Sequence, residues 1–194
     1  NTSPVLDLTK KNTHPIIGDR SYSREPKIVQ ELGNLCVHSY KNNKIATVTK
    51  HIPGHGSTNL DSHFKLPIVK NALKSLKISD FQCFKSVPSF FAMTAHILYS
   101  KIDKKNNTTH SKIIIKKIIR EEIGFKGILI SDDISMKALK YNLNKNAKLA
   151  LDAGCNLVLY CAGKPKEMSK LVKEIPFIDK FTAKKTSEFY KFLS

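Results

Sequence analysis

The chain has 194 residues, 41% of them hydrophobic, which is long enough and apolar enough to bury a core of its own. Its net charge of +17 invites a nucleic-acid reading, but the basic residues are nearly all lysine, with Arg20, Arg24 and Arg120 the only arginines, whereas phosphate and base recognition favours the arginine fork, so no nucleic-acid partner is expected. No apolar run approaches the roughly 20 residues that cross a bilayer, and "NTSPVLDL" has neither the basic nor the apolar region of a signal peptide, so no membrane partner is expected and the setting is read as cytoplasmic.

In chain order, "PVLDL" (4–8) reads as a buried strand and "REPKIVQELGNLCVHSYKN" (24–42) as a helix, its apolar residues recurring every three or four positions. "KIATVTK" (44–50) reads as the next strand, followed by a helix over "LPIVKNALKSL" (66–76). "SFFAMTAH" (89–96) is a strand, "HSKIIIKKIIREEIG" (110–124) a helix, and "KGILISDD" (126–133) a strand. A helix over "SMKALKYNLNKNAKLALDAG" (135–154), a strand over "NLVLYCAG" (156–163) and a helix over "KPKEMSKLVKEI" (164–175) complete the alternation. The Gly-Phe after Ile123 and the Gly-Cys after Ala153 are helix stops. Strand and helix in alternation predict a parallel sheet with crossover helices. No linker or repeat divides the chain, so residues 1–194 are expected to form a single domain. Cys36, Cys83, Cys155 and Cys161 are scattered without a CxxC pair, which suits reduced thiols in a reducing compartment.

In such sheets ligands bind at the C-terminal ends of the strands, and this chain places titratable residues there repeatedly. The 44–50 strand runs into Lys50 and His51, the 89–96 strand into His96, and the 126–133 strand into Asp132 and Asp133. A lone histidine at a strand end is more often structural than catalytic; several such ends together favour a site. The stretch after the 44–50 strand, "KHIPGHGSTNLDSH" (50–63), adds His55, Asp61 and His63. His51 and His55 have zincin spacing, but Pro53, Gly54 and Gly56 forbid the regular helix that would present both on one face. Phosphate-loop and GxSxG patterns are absent.

Acid/base and nucleophilic chemistry by Asp and His remains. Asp61 and His63, two residues apart in an extended loop, point to the same side, so the carboxylate can hold the imidazole and stabilise its protonated form. Asp132, leaving an apolar strand, is a carboxylate placed to attack an electrophilic carbon from the opposite side. An acid/base group facing a carboxylate nucleophile is the equipment of a retaining glycosidase.

"KHIPGHGSTNLDSH" resembles the K-H-F-P-G-H-G-x4-D-S-H signature of the bacterial β-N-acetylhexosaminidases of glycoside hydrolase family 3, the NagZ type. "GFKGILISDDISMKAL" (124–139) resembles the family's G-F-x-G-x-x-x-S-D-D-x-S-M stretch, and "PVLDL", "IIGDRSYSREP" and "MTAH" match further segments in the expected order. The resemblance spans residues 1 to about 163. It implies a (β/α)₈ TIM-type barrel, of which this chain resembles the C-terminal two thirds, opening at the third strand region. It implies His63 as acid/base, Asp61 as its dyad partner and Asp132 as glycosyl nucleophile, with Asp133 structural. Arg20, Lys50 and His51 match the sugar-binding residues, while His55 and its glycines shape the loop that carries His63. Phe of the signature is Ile at position 52.

The implied reaction is removal of terminal β-linked N-acetylglucosamine from muropeptide fragments in cell-wall recycling, with no metal or organic cofactor. Water and phosphate stay equally open as the acceptor. The partners implied are the glycan itself and a complementing N-terminal fragment that supplies the first strands of the barrel. The alternative is an inactive truncated remnant, a basic binding module at most.

Overall fold

Along each apolar strand, successive side chains point to opposite faces, so one set can meet helices while the other lines a second face. The structure, a computed structural model, describes residues 1–10, 15–58 and 60–194. Asn59 of the histidine-rich stretch lies outside them.

In chain order the elements are α1 (Pro26–Asn42), β1 (Val48–Ile52), β2 (Ile68–Val69), α2 (Leu73–Lys77), β3 (Phe91–Thr94), β4 (Leu98–Tyr99), a wide-turned helix over Ile114–Glu122, β5 (Ile128–Asp133), α3 (Leu143–Ala153), β6 (Leu157–Leu159), α4 (Pro165–Glu174) and α5 (Lys180–Leu193). β1, β3, β5 and β6 form a parallel four-stranded sheet in that order, with Val48 opposite Phe91 and Phe91 opposite Ile128. The fold is therefore α/β with a parallel sheet and crossover helices, and among the described residues the sheet does not close on itself. β2 and β4 pair separately.

The expected strand 4–8 is reduced to an edge segment. Val5 makes a single parallel bridge to Lys50, supported by Leu6 N–H to Lys50 O at 2.7 Å. Pro4 has no N–H to donate, which leaves that edge short of a full ladder. Two helices are shorter than their periodicity suggests. Over 66–76, Pro67 and Val69 give their carbonyls to Leu98 and Ser100, so β2 precedes a helix that starts only at Leu73. Over 135–154, the Asn142 side chain accepts from Lys145 N–H and starts α3 at Leu143, while the residues before it form turns. The 110–124 helix is wide-turned, with Ile123 N–H reaching Ile118 O at 2.8 Å. Gly154 ends α3 at φ +114, a left-handed conformation that a side chain would oppose.

Packing follows the alternation. Val29, Gly33 and Val37 put one stripe of α1 into the core, and Gly33 allows close approach, since a Cβ there would lie 2.5 Å from Leu6 Cδ2. Leu6, Ile52, Ala92 and Leu129 join Ile118, Ile119 and Ala150 in the helix-side core. Met93 and Phe91 alternate with Ala92 and therefore share the other face. There α5 lies across the N-terminal ends of the strands: Phe189 is 5.1 Å from the Phe91 ring and Phe192 is 4.7 Å from Phe90. Asn156 Nδ2 donates to Thr182 Oγ1 at 2.8 Å and anchors the start of that helix.

The two faces should differ in what they contribute to stability. Leu129 is fully buried on the helix side, whereas Leu157, in β6, is 39% exposed. Leu129→Ala is expected to cost about 2–5 kcal/mol and Leu157→Ala less than about 1 kcal/mol, measured by urea unfolding of the two variants side by side.

Candidate active site

β1 and β5 deliver their polar residues at the C-terminal end of the sheet. Lys50 pairs with Met93 across β1 and β3, and Asp132 stands at the tip of β5. The chain leaves β1 through Pro53 and Gly54, and the loop that follows brings Ser62 and His63 back over the strand ends. Arg20, in the short turn Gly18–Arg20, approaches from the edge side and donates from Nη2 to Ile16 O. Lys50, His51, His63, Asp132 and Arg20 all line one cavity of about 280 Å³. That volume lies just below the range of typical ligand pockets, about 300–1,000 Å³. The structure thus brings five of the six residues singled out in the sequence to a common cavity, and the sixth, Asp61, is bonded to one of them.

Asp61 Oδ1 accepts from both the backbone N–H and the Nδ1 of His63, each at 2.8 Å. The carboxylate fixes the ring while Nε2 is left for a ligand, and the His63 side chain is 58% exposed. Asp132 Oδ1 accepts the Asp133 N–H at 2.8 Å, which fixes the rotation of the carboxylate. Asp133 turns elsewhere: its Oδ1 accepts from Ser135 N–H at 3.0 Å and Cys161 N–H at 3.3 Å. Burial lowers the Lys50 pKa and Arg20 lowers it further, while Asp132 and Asp7 pull it back up. The lysine thus sits in a field where its positive charge is only partly compensated.

Two supporting residues have no counterpart among the sugar and catalytic positions read from the sequence. Asp7, fully buried in the edge segment, accepts from His51 Nδ1 at 2.6 Å and His55 N–H at 2.6 Å. The only sequence signal was a carboxylate inside the apolar run "PVLDL". His96 was expected at a ligand-bearing strand end, but it is fully buried and lies outside the cavity lining. Its Nε2–H donates to Asp133 O at 3.0 Å and its Nδ1 accepts from Thr109 Oγ1 at 2.7 Å, with Thr94 bonded to the same hydroxyl at 2.8 Å. It ties the ends of β3 and β5 together. His55 is likewise buried, with Thr58 Oγ1 2.8 Å from its Nδ1 and Ser62 Oγ 3.4 Å from its Nε2. Among the described residues, no group of three or more His, Cys, Asp or Glu is arranged to hold a metal ion.

The glycosyl hydrolase family 3 N-terminal domain matches residues 1–181. The chain belongs to that family. It is 33% identical over 178 residues to a Beta-hexosaminidase of Nitrosospira multiformis, covering 89% of this chain and 50% of the relative. A Beta-hexosaminidase of Shewanella frigidimarina is 36% identical over 165 residues, covering 82% of this chain and 48% of its own length. The crystal structure of NagZ from Neisseria gonorrhoeae in complex with N-trifluoroacetyl-D-glucosamine superposes with a TM-score of 0.86 at 29% identity, over 100% of this chain and 56% of that one. A family 3 β-N-acetylglucosaminidase from Paenibacillus sp. gives 0.87 at 27% identity, over 99% of this chain and 39% of that one. The chain therefore spans about half the length of the curated relatives it matches.

The buried histidines set a pH dependence. Burial lowers the pKa of His55, His96 and His110, the last to about 4. As pH falls below the ordinary histidine value of 6.5, the unfolded chain takes up protons that these native rings refuse, so stability declines on acidification. Each such ring contributes up to about 1.4 kcal/mol per pH unit until its folded pKa is reached. Urea midpoints are expected to fall steadily between pH 7 and 4.5, and less steeply in His110→Gln; a flat or rising profile would contradict the neutral, buried state of these rings.

Proposed function

We propose that this chain carries the catalytic site of a retaining β-N-acetylhexosaminidase, acting on terminal β-linked N-acetylglucosamine in muropeptide fragments of the cell wall. The observation that carries the reading is the convergence of Asp132, His63, Lys50, His51 and Arg20 on one cavity at the strand ends. In this reading an Asp132 carboxylate oxygen attacks the anomeric carbon while His63 Nε2 gives its proton to the departing glycosidic oxygen. The resulting glycosyl ester is then opened by water, whose proton His63 takes back. Asp61 keeps the imidazole aimed and stabilises its charged form. Lys50, His51 and Arg20 hold the sugar hydroxyls against the strand ends.

The open parallel sheet is read as an arc of a (β/α)₈ barrel. The share of the relatives that the chain covers supports a complementing portion, which would close the barrel and complete the sugar site. Among the described residues no helix is long and apolar enough to cross a membrane, and the setting we propose is the cytosol, where recycled wall fragments would be met.

The test is chromophore release from p-nitrophenyl N-acetyl-β-glucosaminide by the chain combined with the N-terminal portion of a Beta-hexosaminidase relative. Activity is expected, abolished in Asp132→Ala and reduced about 10²–10⁴-fold in His63→Ala. Turnover that survives Asp132→Ala refutes the assignment. Silence of the combined preparation favours the inactive remnant.

A further inference from the structure

Asp7 lies behind the sugar-facing residues, and among the described residues its two oxygens meet N–H donors. His51 N–H lies 3.2 Å from both oxygens, His51 Nδ1 is 2.6 Å from Oδ2 and His55 N–H is 2.6 Å from Oδ1. Burial pushes the Asp7 pKa up, but the neighbouring His51 and His55, with the hydrogen bonds they donate, outweigh it and hold the carboxyl below its ordinary value. An ionised carboxylate can only accept.

We infer that Asp7 is a positioning residue that fixes the tautomer of His51, placing its proton on Nδ1 so that Nε2 meets the ligand as a hydrogen-bond acceptor. This rests on His51 being a sugar contact. Lys50, one residue before it, offers only donors. The adjacent pair therefore presents one acceptor and one donor to a carbohydrate, and favours a ligand whose neighbouring hydroxyls can give a proton to His51 and take one from Lys50. A vicinal diol of a pyranose meets that demand; an ionised carboxylate, with no proton to give, does not.

The substitution Asp7→Asn keeps the shape and separates this role from a purely structural one. The Asn oxygen must stay on the His55 N–H, which can only donate, so the amide nitrogen faces His51 Nδ1. The imidazole is then driven to the Nε2–H tautomer and its outward edge changes from acceptor to donor. Long-range 1H–15N spectra of the ring-labelled chain, recorded at a pH where the imidazole is neutral, read this directly. The wild-type chain is expected to carry the His51 proton on Nδ1 and D7N on Nε2. N-acetylglucosamine, titrated into the same samples, is expected to bind D7N about tenfold more weakly. A wild-type ring protonated on Nε2 overturns the inference and requires no variant to fold. A D7N ring still protonated on Nδ1, or a switched ring that binds the sugar unchanged, overturns it too. A tautomer switch without sugar binding by either protein leaves the Asp7 assignment standing and counts against the sugar-site reading.

Discussion

Side-chain alternation in a parallel strand forces a division of labour on this sheet. Ala92 and Leu129 turn toward the helices and are buried, so their neighbours Met93 and Ile130 must turn the other way. Lys50 lies opposite Met93, and Asp132, beyond an irregularity in the ladder after Ile130, lines the same cavity as both. A slip of one residue in either strand would send Lys50 or Asp132 into the apolar core, where an unpaired charge is costly. Register is therefore fixed by the helix-side packing, and the site inherits its geometry from residues that never approach the cavity.

Alternation alone does not aim an imidazole or a carboxylate, and buried hydrogen bonds do the rest. Asp7 ties the edge segment to both ends of the turn that leaves β1. On the far side His96 holds the Asp133 carbonyl, and through it the backbone that carries Asp132. The two anchors are of opposite kinds. One is a carboxylate that only accepts, kept ionised by its histidine neighbours; the other is a neutral imidazole that donates at one nitrogen and accepts at the other. Each is enclosed by apolar strands, where a satisfied hydrogen bond is stiff and an unsatisfied one expensive.

Much of this was legible in the sequence because the signals were local. Four of the five expected strands form ladders, since apolar runs of that length bounded by Gly and polar residues specify a buried strand almost by themselves. Asp61 and His63 meet because their separation is two residues, a relation that needs no tertiary information. The Asp7 anchor was not legible, because its partners lie 44 and 48 residues away and a single acid in "PVLDL" looks like an ordinary strand interruption. His96 was misjudged for the related reason that a strand end says where a residue starts, not which way it turns. The helix boundaries over 66–76 and 135–154 failed where a local competitor, the β2 pairing and the Asn142 cap, overrode periodicity.

The face that carries the candidate site is also the face with less packing. Leu157 stays partly exposed there, and the aromatic side chains of α5 cover only the lower strand ends near Phe90 and Phe91. Had apolar side chains filled the upper end as they fill the helix side, the cavity would be gone. Polar residues at Lys50, Asp132 and the returning loop forgo burial that would stabilise the sheet. The helix side, with its continuous cluster from Leu6 to Cys155, offsets that loss. One face of the sheet can therefore remain open to a ligand while the other holds the strands in register.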